Sequence, residues 1–169
     1  SPDFVFSLTP RITPLMAAVG YNNETAVALL LKKAQEKGIL KPYLNLQCGP
    51  QNKVVKYGFD YEKQFSALHI AASAENNVST SILEKLLASG AFVNVVDEDG
   101  ETPLSCALAD TDTAREKVGL LIEYEADPCA GTCLLNEGLT PYDRVRENVE
   151  SEQPMESYKF FWQLFNPEK

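Results

Sequence analysis

The single histidine, His69, and the four cysteines, Cys48, Cys106, Cys129 and Cys133, have the widest chemical repertoire in this chain. A Cys106–His69 pair would supply a thiolate nucleophile and its general base. Such a thiolate needs an exposed, electropositive setting, and the part of the chain that carries both residues is acidic. No third residue that would orient the imidazole is identifiable. Cys129 and Cys133 stand as C-x-x-x-C, half of a zinc-ligand set; a tetrahedral site needs about four ligands, and the other cysteines lie in distant segments. The carboxylate pairs Asp97/Asp99 and Asp110/Asp112 fall among turn residues, where aspartate accepts backbone amides. No glycine loop suited to cradling phosphates is present. These residues point away from catalysis; no catalytic residue, metal or cofactor is expected.

Composition narrows the class further. The 169 residues suit one domain or one short array. A chain of this length buries roughly 70% of the surface that its unfolded form exposes, so no staple is needed. Apolar content of 44% and charged content of 23% are ordinary for a globular protein. No apolar run reaches the roughly 18 residues needed to span a bilayer, and no signal-peptide pattern opens the chain, so no membrane is expected. Four scattered cysteines make no disulfide scaffold; reduced thiols in an intracellular compartment, cytoplasmic or nuclear, fit better. The net charge of −9 is uneven. Residues 1–60 carry seven lysines and arginines against four carboxylates (+3), and residues 61–169 carry eight against twenty (−12). The acidic part disfavours a nucleic acid, whose phosphates need clustered Lys and Arg, and favours a basic protein surface.

The elements that must position these side chains come as a repeat. One tetrapeptide theme returns as Thr13-Pro14-Leu15-Met16, Ser66-Ala67-Leu68-His69, Thr102-Pro103-Leu104-Ser105 and Thr140-Pro141-Tyr142-Asp143. Threonine caps helix amides, and proline suits the first turn. Alanines follow the first three openers, then leucine-rich stretches at helical spacing. Each unit thus reads as a helix, a turn, a second helix and a short extended link. In unit two the helices fall at Ser66 to Ala74 and at about Ser79 to Ser89, with a Ser81/Glu84 capping box and Gly90 as the left-handed terminator. In unit three they fall at Thr102 to Ala109 and from a Thr113/Glu116 capping box to Tyr124, where Glu125 replaces the glycine. Unit four has a second helix from about Pro154, whose Tyr158, Phe161, Trp162 and Phe165 fill the end of the core. In unit one the second helix runs from about Asn23 to Gly38.

The openers are 53, 36 and 38 residues apart, so about twenty residues are inserted between units one and two. Alternation over Leu44–Cys48, a turn at Gly49–Asn52 and a β-prone run from Lys53 to Tyr61 predict an extended hairpin-like finger. Tyr57, Phe59 and Tyr61 would share one face of its second strand.

The pattern Asp97-x-x-Gly100-Glu101-Thr102-Pro103-Leu104, the ending Leu86-Leu87-Ala88-Ser89-Gly90-Ala91 and the run Ser66 to Ala72 resemble the ankyrin-repeat family over about residues 11–165. Met16, Ser105 and Asp143 depart from it, standing where that family has histidine. The resemblance implies an all-α solenoid of four ankyrin repeats, helix-turn-helix units joined by β-hairpin loops. Its single domain spans 1–169, with repeats at about 11–40, 62–94, 97–129 and 136–166 and the extended hairpin-like insertion at 41–61. The lysine-rich second helix that leads into Gly38-Ile39-Leu40-x-x-Tyr43-Leu44-Asn45 is similar to ankyrin arrays of intracellular bacterial pathogens, secreted effectors of the Legionella type, which implies action in a host cytoplasm.

The family's usual contact surface, hairpin tips and first helices, carries over by register with the opener. It falls on Tyr21 in unit one; on Glu62, Lys63, Phe65, Ser73 and Ala74 in unit two; on Glu98, Asp99, Glu101, Ala109 and Asp110 in unit three; and on Asn136, Glu137 and Leu139 in unit four. From the finger, Tyr57 and Phe59 join them as candidate contacts, because aromatics are enriched in binding hot spots. The expected function is a non-enzymatic module, monomeric on its own, that binds a protein, a basic segment in particular, through its concave face and tips. The alternatives are an inhibitor that masks a transcription factor, a targeting domain of a larger multidomain enzyme, and a thiol enzyme.

Overall fold

Each opener starts a helix for the chemical reason that its residues suggest. In the computed structural model, which describes residues 12–48, 64–132 and 138–167, Thr13, Thr102 and Thr140 stand in extended backbone and accept the amides of Met16, Ser105 and Asp143, with proline in the first turn. The residue three places on answers the cap. His69, Ser105 and Asp143 each return a side-chain acceptor to the amide of the opener, which closes a capping box. Serine and aspartate thus do the work of histidine in units three and four, and only Met16 leaves its box half made.

The described residues hold nine helices: α1 (Pro14–Gly20), α2 (Glu24–Glu36), α3 (Leu40–Leu44), α4 (Ala67–Ala72), α5 (Thr80–Ala88), α6 (Pro103–Ala107), α7 (Asp112–Glu123), α8 (Pro141–Glu150) and α9 (Glu156–Phe165). Helices α1 and α2, α4 and α5, α6 and α7, and α8 and α9 form hairpins. The first helices α1, α4 and α6 lie side by side, and so do the second helices α2, α5, α7 and α9. The side-by-side packing of first helices is not repeated between α6 and α8; the last hairpin joins the row through α9 on α7. Alanines at 18, 71, 72 and 107 are buried where the first helices meet, and Leu83, Leu86, Val118, Leu121 and Phe161 fill the seam beside the second helices. Among the described residues there is no strand; one isolated antiparallel bridge joins Gln47 and Ser66.

Several local expectations are corrected. The capping residues of α5 and α7 lie two places upstream of the expected boxes, at Ser79 and Thr111, which accept the amides of Ile82 and Ala114. Ser81 is inside α5 and donates to Glu24 at 2.6 Å instead. The alternation from Leu44 does not begin a strand: Leu44 closes a helical turn, and its side chain is buried. The finger from Gly49 to Tyr61 lies outside the described residues.

Three of the second helices end alike. Gly38, Gly90 and Glu125 take the left-handed conformation, with φ of 69°, 95° and 65°. The next amide then reaches back five residues, Ile39 to Ala34, Ala91 to Leu86 and Ala126 to Leu121. Only glycine takes this conformation at no steric cost. Glu125→Gly is expected to raise stability by about 1 kcal/mol, read as a higher urea midpoint. Leu104→Ala, which removes a fully buried side chain, is expected to lower it by about 2–5 kcal/mol.

Candidate protein-binding surface

Neighbouring hairpins are tied at both ends, and the ties place the surface. At the turn end, Asn22 Oδ1 accepts the Ser79 amide at 2.9 Å, the Ala74 amide donates to the Cys106 carbonyl at 2.9 Å, and Asp110 Oδ1 accepts the Ser157 amide at 3.1 Å. These bonds align the ends of α1, α4 and α6. Tyr21, Ser73, Ala74, Ala109 and Asp110 stand in the turns that these bonds tie, just after α1, α4 and α6. Tyr21 is 62% exposed, Asp110 is exposed, and Ser73, Ala74 and Ala109 are half-buried.

At the tip end, Asp97 organises the loop that precedes α6. Its carboxylate accepts the amides of Asp99 (2.9 Å) and Glu101 (2.8 Å), and Gly100, at φ 80°, completes the turn. This leaves Glu98 exposed, with Asp99 and Glu101 half-buried. Asn45 accepts the Phe92 amide at 2.7 Å, and Asn94 accepts the Asp127 amide at 2.8 Å, the same link one unit further on. Gln47 donates to the Gln64 and Val96 carbonyls, and Thr132 clasps the Gly100 and Asp99 carbonyls. Gly131 permits that clasp, since a Cβ there would meet Gly100 O at 2.6 Å.

Not every expected contact residue is available. Phe65 is 6% exposed and belongs to the core cluster that also holds Cys48, and its carbonyl accepts the Cys48 amide. Leu139 is half-buried. Tyr57, Phe59, Glu62, Lys63, Asn136 and Glu137 lie outside the described residues, as does Cys133 of the C-x-x-x-C pair.

The chemical candidates hold structural posts. His69 is buried; its Nδ1 accepts the Ser66 amide at 3.1 Å, and its Nε2 lies 2.9 Å from the Glu101 carbonyl. Burial drives its pKa below 6.5, against the opposing pull of that carbonyl and of Asp97. The unfolded chain therefore takes up this proton first, and His69 contributes stability that is lost as pH falls below about 6.5. Burial also raises the thiol of Cys48, and burial with the charges of Asp127 and Asp143 raises that of Cys129. Both stay protonated, the weaker form for attack or metal ligation. Among the described residues no three His, Cys, Asp or Glu side chains converge on a metal position.

Sequence reasoning missed Lys117. Its side chain is fully buried, and Nζ donates to the Ser73 (2.8 Å) and Asn76 (3.2 Å) carbonyls, so α7 grips the turn of the preceding hairpin. The signal was present: Ala114, Lys117, Val118 and Leu121 fall on one face at helical spacing, and all four are buried.

Residues 63–98 match the ankyrin-repeat family model. A fowlpox virus (strain NVSL) protein named as an ankyrin repeat protein, FPV031, is 30% identical over 142 residues, which is 83% of this chain and 35% of that protein. The ankyrin repeat and LEM domain-containing protein 1 homolog of Caenorhabditis elegans is 34% identical over 82 residues, which is 48% of this chain and 11% of that protein. The chain therefore spans about a third of the first relative's length and about a tenth of the second's. The family match and both relatives support the ankyrin-repeat family, whose members are in general protein-binding modules.

Burial of Lys117 lowers its pKa from 10.5 to about 8. Between those values the unfolded chain holds a proton that the folded chain has released, so Lys117 contributes stability that grows with pH across that window, opposite in sign to the raised thiols of Cys48 and Cys129. The change in urea midpoint from about pH 7.5 to pH 9.5 is expected to be more positive in the parent than in Lys117→Met, and the difference between the two is the lysine's contribution.

Proposed function

We propose that the chain is a non-enzymatic array of four ankyrin repeats, at about 11–40, 62–94, 97–129 and 136–166, with an insertion at 41–61, and that it binds a basic segment of a partner protein. It acts as a monomer inside the cell, a setting that fits the reduced thiols of Cys48, Cys106 and Cys129. No helix among the described residues is long and apolar enough to cross a membrane. The contact surface comprises the row Tyr21, Ser73, Ala74, Ala109 and Asp110 together with the acidic tip at Glu98, Asp99 and Glu101. The observation that carries this reading is Tyr21: a large aromatic, 62% exposed, at the end of a row of small half-buried residues that leads to acidic groups. Aromatic anchors flanked by complementary charge are the usual source of affinity and steering in such interfaces.

The narrower reading, a secreted effector of an intracellular pathogen, draws on the lysine-rich α2 and the Gly38–Asn45 sequence; the two relatives are a poxvirus and a nematode protein. A second reading, a recognition module that serves a larger multidomain protein, draws on the greater length of both relatives.

A fluorescent Lys/Arg-rich peptide titrated with the chain tests the proposal by anisotropy. Saturable binding that weakens with salt is expected, and Tyr21→Ala and Glu98→Lys are each expected to raise Kd about tenfold or more. An unchanged Kd in both variants would refute the assignment of this surface.

A further inference from the structure

We propose a second docking surface, at the corner where α3 meets the end of α5, for an acidic segment that carries a bulky apolar anchor. This surface does not rest on the one above: it lies among the ends of second helices, and its charge has the opposite sign.

The corner is built by two turns. Gly38 reverses the chain after α2, and α3 lies back on α2. Asn45 then fastens this segment to the neighbouring hairpin through the Gly90 carbonyl (3.4 Å) and the Phe92 amide (2.7 Å). Between them runs an open groove of about 430 Å³, lined by Leu40, Pro42 and the stem of Lys41, by the glycines Gly38 and Gly90, and by Gln35 and Ser89, with most of its exposed lining apolar. That volume is at the lower end of those of ligand sites and accommodates one or two large side chains. Phe92 stands next to it, 52% exposed, with Lys41 Nζ 5.8 Å above the ring. Ile39 adds a second apolar side chain at 45% exposure.

Charge selects the occupant. Lys32, Lys33, Lys37 and Lys41 are all exposed on α2 and its continuation. The carboxylate of this stretch, Glu36, is held by Lys33 at 2.8 Å. Among the described residues Lys32 and Lys37 have no carboxylate within ion-pair distance. Lysines at a helix end complement the macrodipole and are ordinarily just solvated. An aromatic ring left open beside an apolar groove and under one of those lysines is not ordinary; it is the arrangement of a hot-spot anchor with a charged rim. Four lysines in a chain of net charge −9 make a small local field, which suits a peptide with a few carboxylates better than a run of phosphates.

The test uses the full chain and a fluorescein-labelled peptide in which Leu-Phe anchors are flanked by Asp and Glu. Saturable binding is expected at low salt. Lys37→Glu/Lys41→Glu and Phe92→Ala are each expected to weaken it about tenfold. Lys159→Glu, a charge reversal on α9, is expected to leave it unchanged. All of these positions are exposed, and a thermal melt of each variant verifies folding. The proposal is overturned if the lysine variant binds as tightly as the parent, or if a peptide with its anchors replaced by serine binds equally well. It is overturned in favour of a lipid surface if phosphatidylserine vesicles retain the chain and the peptide does not. Sedimentation that shows a dimer dissolved by Lys37→Glu/Lys41→Glu would make a second copy the occupant and overturn it as well.

Discussion

Close approach of short first helices is the contact on which this structure depends. A single hairpin of this size cannot bury both faces of its apolar stripe; it needs a neighbour on each side. Alanines at 18, 71, 72 and 107 are buried in α1, α4 and α6, which pack side by side. Larger residues there would push the helices apart and open the leucine seam behind them, where loss of packing is costly. The polar ties at both ends then act on hairpins already in register. Asn45 and Asn94 repeat one link, His69 and Gln47 add others at the tips, and Asn22 and Asp110 lock the turns.

Much of this was legible because the repeat writes the same physics several times. Thr-Pro openers, glycine terminators and leucines at helical spacing each carry a local reason, so the helix pairs could be read directly. Glu125 was recognised as a glycine substitute, and its backbone is left-handed. What escaped depended on competition between equivalent residues. Several hydroxyls lie near the start of α5 (Ser79, Thr80, Ser81) and of α7 (Thr111, Thr113), and the earliest one takes the cap because the chain is still extended there. Leu44 could alternate or close a turn, and burial of its side chain decides for the turn.

The surface was less legible than the core, for a related reason. Tyr21 and Glu98, the one just after a helix and the other at a loop tip, are both exposed. Register with the opener fails for Phe65, which is buried and whose carbonyl accepts the Cys48 amide. That bond joins residues 17 positions apart in sequence, a contact that register with the opener does not encode. Lys117 escaped because charge outweighed periodicity in the reading. Its ammonium finds two carbonyls in place of water, and position on the helix decides its fate.

The last hairpin has a looser lateral hold than the others. Helix α8 has no close first-helix neighbour in α6, and the hairpin is held by the α7–α9 seam, by Tyr142 on the Pro128 carbonyl and by Ser157 on Asp110. The fourth hairpin thus adds its second helix, and not its first, to the lateral row, so a substitution in the α7–α9 seam would loosen it without disturbing the packing among α1, α4 and α6.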